Sequence, residues 1–315
     1  MFDLSVFFRD PSQIHHLNSA IKTCQTSEGV IVGIDEAGRG PVLGPMIYAA
    51  AYCPLSMRAE IEKEKYQDSK TLTEKQRSEM FETIDNDVNI GWSSTILSPI
   101  YISNSMLKRS KYNLNAISHD SAISLIRSIQ AKGIEIREVY LDTVGPPEKY
   151  EQKLRQIFPD IAKIKVSKKA DSLYKIVSIA SICAKVLRDH LIKHWQFQEN
   201  LSYNENDYGS GYPNDPKTKE FLNKVFDPIF GFPTFVRFSW STITKIMDDK
   251  AIVCDWDDDD DDDDQDENNY SKQSIMNFLK GKKNFDEQKS KILKSSNFFT
   301  EHDLEQINDL DRIFG

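Results

Sequence analysis

Cysteine is scarce: Cys24, Cys53, Cys183 and Cys254 are the only four in 315 residues, widely spaced and without a C-x-x-C pair. That excludes a disulfide scaffold, a zinc ribbon and a dithiol redox motif. No run of about 18 apolar residues occurs, so no hydrophobic membrane-crossing helix is expected. The first 20 residues hold no apolar signal core, which leads us to expect an intracellular chain, nuclear and also cytoplasmic, rather than a secreted one. The glycine-rich stretch G-R-G-P-V-L-G-P is not followed by G-K-[ST], which excludes a phosphate-binding P-loop.

The formal charge of −9 conceals two different regions. Residues 255 to 315 carry 18 acidic and 8 basic side chains, whereas residues 1 to 254 carry 31 and 32. A near-neutral body is compatible with nucleic acid, because phosphate binding needs a local cluster of Lys and Arg rather than a basic total. The run Asp257 to Asp264 cannot form a core and repels itself, so a solvated acidic tail is expected from residue 251 to 315, partly disordered.

Residues 29 to 35, G-V-I-V-G-I-D, form a β-branched apolar run of the kind found in buried central strands. Further strands are expected at 46 to 52, 89 to 97, 139 to 142 and 161 to 166. Helical spacing predicts helices over 73 to 85, with Thr73 and Gln76 as a capping box, over 115 to 131, stopped by Gly133, and over 172 to 195. Between 207 and 244, Gly, Pro and aromatics prevail and few periodic elements are legible. The expected organisation is an N-terminal extension (1–28), an α/β catalytic domain (29–200) and a C-terminal helical and irregular cap (201–250).

Four acids stand where open α/β sheets place their sites, at strand ends and helix starts: Asp35, Glu36, Asp142 and Asp171. Adjacent strand residues face opposite ways, so Asp35 and Glu36 are expected to share one site through a break in the strand, which Gly38 and Gly40 permit. Crowded carboxylates repel unless cations neutralise them. Two divalent ions would balance four acids, and an all-oxygen donor set suits Mg²⁺ or Mn²⁺ better than zinc. Paired ions of this kind serve phosphodiester hydrolysis.

The motifs G-I-D-E-A-G-R-G-P (33–41), D-S-K (68–70), L-D-T-V-G (141–145), K-A-D-S-L-Y (169–174) and A-S-I-C-A-K-V-L-R-D (180–189) together resemble type 2 ribonuclease H. Stretches at 112–120, 207–219 and 235–240 are similar to the catalytic A subunit of its eukaryotic branch. The resemblance spans residues 29 to 244. It implies a ribonuclease H-like mixed sheet with flanking helices, two metal ions on Asp35, Glu36, Asp142 and Asp171, and cutting of RNA/DNA hybrids and of duplex DNA 5′ of embedded ribonucleotides, leaving 3′-hydroxyl and 5′-phosphate ends. Gly38, Arg39, Gly40 and Tyr212 are implied to recognise the ribose 2′-hydroxyl, and Asn113 and Thr242 to contact phosphate. Lys70, Lys185, Arg188 and Arg237 are expected to offset backbone charge. Two non-catalytic partners, B and C, are implied. Lys272 to Leu279, K-Q-S-I-M-N-F-L, has the apolar spacing of a sliding-clamp peptide.

Blander readings compete at several positions. Asp142 could open the following turn as an Asx residue, and Asp171 could simply cap the long helix. Tyr212 could be a packed aromatic. His119 beside Asp120 has no accompanying nucleophile motif and belongs to local structure. A hybrid-binding scaffold without catalysis, or another metal-dependent nuclease of the same fold, are the alternative functions.

Overall fold

The computed structural model describes residues 2–20, 28–63, 72–110, 112–143, 145–199 and 201–252. Lys70, the aspartate run and the clamp-like stretch 272–279 lie outside them.

The first half of the chain runs α1 (Ser5–Arg9), β1 (His15–Asn18), β2 (Val30–Ala37), β3 (Met46–Pro54), α2 (Arg58–Lys63), α3 (Glu74–Asn86), β4 (Gly91–Leu97), α4 (Pro99–Met106) and α5 (Leu114–Ala131). There follow β5 (Ile136–Asp142), α6 (Pro147–Ile157), β6 (Lys163–Ser167), α7 (Ala170–Leu173), α8 (Lys175–Lys193), α9 (Pro216–Val225) and α10 (Ser241–Lys250). The strands form one mixed sheet in the order β1-β4-β3-β2-β5-β6. β2 pairs antiparallel with β3 and parallel with β5, and β5 pairs parallel with β6. Because β2, β5 and β6 run the same way, their C-terminal ends share one edge.

This is the expected mixed sheet with flanking helices. One face of β2 and β3, with Val32, Ile34, Tyr48 and Ala50, packs on α5 residues such as Ile117 and Ile126. The other face meets α8, where small residues matter: a Cβ added at Gly33 would lie 2.4 Å from the Ile176 carbonyl carbon and oxygen. The helix backbone therefore rests directly on the strand, a proximity only glycine permits.

Local signals explain the helix starts. Thr73 and Gln76 form the expected capping box on α3, and Asn113 caps α5 by accepting from the Ala116 N–H at 3.0 Å. The helix expected over 172 to 195 is broken. Tyr174 is extended (φ −128°, ψ 116°), which separates α7 from α8 and lets Asp171 stand off the axis of the long helix. The N-terminal stretch, expected as an extension, instead adds β1 to the sheet. The cap region likewise holds more order than its composition suggested, in α9 and α10.

The chain divides into two compact units. The first takes Met1–Val225 and Pro233–Ile243, so most of the expected cap belongs with the α/β body; the second takes, among the described residues, Phe226–Phe232 and 244–252. Among the described residues, no helix is long and apolar enough to cross a membrane.

Candidate active site

The strand register brings the acids together. Ile34 of β2 is opposite Leu141 of β5, so Asp35 and Asp142 follow at the same edge, and Asp142 is in turn opposite Ser167 of β6. From Ser167 the chain turns through Lys169, which takes a left-handed conformation (φ 55°), and delivers the buried Asp171 within α7. Each aspartate braces the peptide after it: Asp35 accepts from the Glu36 N–H at 2.8 Å, Asp142 from Thr143 at 2.8 Å, and Asp171 from Ser172 at 3.1 Å. Asp142 accepts also from the Ala170 N–H at 3.3 Å, which fastens α7 to the end of β5. The bond to Thr143 is to the very next N–H rather than the one two residues on, so Asp142 braces the strand end without forming the Asx turn that the sequence allowed. Asp171 does not cap α8, whose N-cap is Tyr174.

One expectation is corrected. β2 does not break at Asp35 and Glu36 but continues to Ala37, so the two acids face opposite sides of the strand. The turn comes at Gly38, with φ +78°. Asp35 lies on the α8 side, bonded by the Ser181 side chain, while Glu36 lies on the other, in the field of Arg39 and opposite Tyr48 of β3. As the side chains stand, no three His, Cys, Asp or Glu groups among the described residues converge on a point that would hold a metal ion.

The electrostatics nevertheless join them. Burial pushes the Asp35 carboxyl above its ordinary range, and the charges of Asp142 and Asp171 push it further. Glu36 is raised by burial and then by the charge of Asp35; Arg39 pulls it back down, more strongly than Asp142 pushes it up, and the Tyr48 hydroxyl lowers it a little further. An enclosed set of oxygen donors with one modest cationic neighbour favours added protons or added cations. The donor chemistry fits hard divalent ions.

Beside the acids lies a cleft of about 320 Å³ lined by Glu36, Gly38, Arg39, Gly40, Lys185, Arg188 and Tyr212. Most of the substrate-contact residues expected there are present. Tyr212 is 52% exposed, with its ring edge 3.1 Å from where a Gly40 Cβ would stand. Its loop is tied to the glycine turn, since the Gly211 carbonyl accepts from Val42 at 2.8 Å and from Leu43 at 3.4 Å. The Arg39 side chain reaches α5, donating to Asn115 Oδ1 at 2.5 Å and to the Ser118 hydroxyl. Arg188 lines the cleft while donating to the carbonyls of Pro45 and Leu43 at 3.3 and 3.4 Å. Asn113 and Thr242 stand at the starts of α5 and α10.

Arg237 is a second correction. Expected on the nucleic-acid backbone, it is fully buried, and its guanidinium donates to the carbonyls of Gly38, Arg39 and Gly44. Its position in F-V-R-F-S-W, an arginine among apolar residues, was the available signal. Trp240 was missed as well; its indole N–H donates to the Gly40 carbonyl at 3.1 Å.

Comparison with known proteins gives one answer. A family model described as ribonuclease HII matches residues 32–243. The A subunit of ribonuclease H2 from Rattus norvegicus is 51% identical over 257 residues, 81% of this chain and 85% of that one. The Homo sapiens protein of the same name is 50% identical over 256 residues, with 81% and 85% covered. Among solved structures, ribonuclease H2 from Pyrococcus horikoshii OT3 matches with a TM-score of 0.59 at 29% identity, covering 70% of this chain and 98% of that one. The ribonuclease HII in a PCNA complex from Archaeoglobus fulgidus matches with a TM-score of 0.56 at 29% identity, covering 67% and 95%.

Proposed function

This chain belongs to the ribonuclease HII family, and from that premise we propose that Asp35, Glu36, Asp142 and Asp171 carry its reaction at the sheet edge. It is a ribonuclease H, an endonuclease that hydrolyses the RNA strand of RNA/DNA hybrids. Our reading adds that it nicks duplex DNA on the 5′ side of an embedded ribonucleotide and leaves 3′-hydroxyl and 5′-phosphate ends. The observation that carries the site assignment is that the sheet register and the turn into α7 bring Asp142 and Asp171 close enough to β2 for their charges to raise Asp35, and for that of Asp142 to raise Glu36 as well.

The four acids would hold Mg²⁺ or Mn²⁺, two ions per site, and such ions stabilise the attacking and leaving oxygens of a phosphodiester displacement. The chain's own groups do the rest. Asp142, held by two backbone N–H groups, keeps one carboxylate oxygen fixed at the junction of β5 and α7. Gly38, Arg39 and Gly40 present main chain to the ribose, and Tyr212 closes the cleft beside them. Only RNA carries a 2′-hydroxyl, so a donor turn at that point separates RNA from DNA. Lys185 and Arg188 place positive charge in the cleft, and Asn113 and Thr242, at helix starts, suit phosphate oxygens.

We propose also that the chain works with non-catalytic B and C subunits, since its relatives are named as subunits. The complex named for the archaeal relative supports a sliding-clamp contact through residues 272–279; a clamp pull-down unaffected by Phe278→Ala would remove that contact. Residence in the nucleus and also the cytoplasm completes the reading, to be checked by imaging the tagged full-length chain.

The deciding experiment co-expresses the chain with its partners and offers end-labelled duplex DNA carrying one ribonucleotide, with and without Mg²⁺. We expect a single cut 5′ of the ribonucleotide, only with the ion. Equal cutting of an all-DNA duplex, or cutting in chelator, would overturn the reading.

A further inference from the structure

Arg237 is a cation in an unusual place. It is fully buried, and among the described residues no acid pairs with it. Enclosing a guanidinium without a counter-ion costs several kcal/mol unless its donors are satisfied. Here they are satisfied by main chain. Nε donates to the Gly44 carbonyl at 2.8 Å, Nη1 to Arg39 at 3.1 Å and Nη2 to Gly38 at 2.6 Å. Trp240 completes the arrangement: its ring lies under the guanidinium, 4.8 Å from centroid to Cζ, and its Nε1–H holds the Gly40 carbonyl. Three consecutive carbonyls, those of Gly38, Arg39 and Gly40, are therefore held by two side chains from one segment.

The consequence follows from peptide geometry. In a planar trans peptide the C=O of one residue and the N–H of the next point in opposite directions. Drawing the Gly38 and Arg39 carbonyls toward Arg237 aims the N–H groups of Arg39 and Gly40 the other way, and neither donates to a described residue. Those two residues line the cleft beside Glu36 and Tyr212. A carbonyl bonded to a buried cation also polarises its own peptide, which makes the attached N–H a stronger donor in a medium of low dielectric.

We propose that Arg237, assisted by Trp240, is a positioning residue for ribose selection: it presets the Arg39 and Gly40 amides as a rigid, polarised donor pair for the 2′-oxygen, without itself touching nucleic acid. The inference rests on the reading of the G-R-G turn as the element that faces the ribose. It assigns selectivity to a side chain hidden beneath the substrate surface.

The test uses the full chain assembled with its partner subunits and two matched duplexes, identical except that the scissile nucleotide carries either a 2′-hydroxyl or a 2′-fluoro group. Fluorine is a poor hydrogen-bond acceptor, so the ratio of the two rates reads the donor pair. The ratio is taken within one preparation and is insensitive to the fraction of folded enzyme. We expect wild type to prefer the hydroxyl strongly. Arg237→Lys should lower that preference about tenfold, the value of roughly one hydrogen bond to a charged group, with the loss in kcat and little change in KM. Trp240→Phe, which keeps the ring but deletes one donor, should lower it by a smaller factor.

Wild type cutting both duplexes equally would defeat the reading of the turn, and the proposal with it. A selective wild type with an equally selective, merely slower Arg237→Lys would overturn the proposal and leave that reading intact. If Arg237→Lys does not assemble, Trp240→Phe decides alone, an unchanged preference counting against the proposal.

Discussion

Asp142 is the residue on which the two halves of the site meet, since its charge raises both Asp35 and Glu36 and its Oδ1 accepts two backbone N–H groups. Asp142→Asn keeps an oxygen acceptor for those N–H groups while removing the charge. We expect it to fold and to bind hybrid as wild type does, yet to cut at least about 10³-fold more slowly, a loss of roughly 4 kcal/mol of transition-state stabilisation. Near wild-type turnover would sink the site assignment. Gly40→Ala tests the neighbouring contact: the new methyl would stand 3.1 Å from the Tyr212 ring, so a drop in hybrid cutting with an unchanged melting temperature is expected. Legibility differed sharply among these residues. The acids could be found because strand ends and glycine turns leave a mark in sequence. The burial of Arg237 left only its apolar neighbours in F-V-R-F-S-W as a sign, because what encloses it is the carbonyl pattern of residues almost 200 positions earlier in the chain.

At the scale of elements, α8 rests on β2 at Gly33 and is joined directly through Tyr174 to α7, which carries Asp171. Gly33→Ala would drive a methyl into the Ile176 peptide. Overpacking of this sort costs roughly 1–3 kcal/mol, and the same displacement should move α7, so we expect a lowered urea midpoint together with reduced cutting. The α3 capping box offers a contrasting control. Thr73→Ala should cost about 1 kcal/mol of stability and leave cutting unchanged, measured by denaturant titration beside a nuclease assay. Elements carrying such signals were readable, as α3 was from T-x-x-Q and β2 from its apolar run. The break at Tyr174 was not, because its cause is tertiary: the Tyr174 ring packs on Tyr140 of β5, centroids 4.3 Å apart, and holds its backbone extended. α9 escaped notice because its apolar stripe is short, Phe221, Leu222 and Val225 following Thr218 at helical spacing, although Asp215 before Pro216, with Asp215 Oδ1 accepting from Lys217 N–H at 2.9 Å, is a helix-start signal.

For the whole molecule, charge is the property that sequence discloses fully. A body of +1 is followed from residue 255 by a segment of −10, whose field opposes phosphate within a screening length of about 10 Å at 0.1 M salt. A chain ending at Cys254 should bind hybrid more tightly than the full chain at low salt, with the difference vanishing at high salt, as read by fluorescence anisotropy; equal affinity at low salt would show that the acidic segment exerts no such field. The sheet carries a different whole-molecule consequence. β1 is made first, yet its partner β4 lies nearly 80 residues later, His15 facing Ile96 across the ladder. During synthesis at about 5–20 residues per second, that strand must wait several seconds for its mate, and its alternation of half-buried and exposed positions suits the wait, offering a poor template to passing chains until the ribosome has delivered the right one.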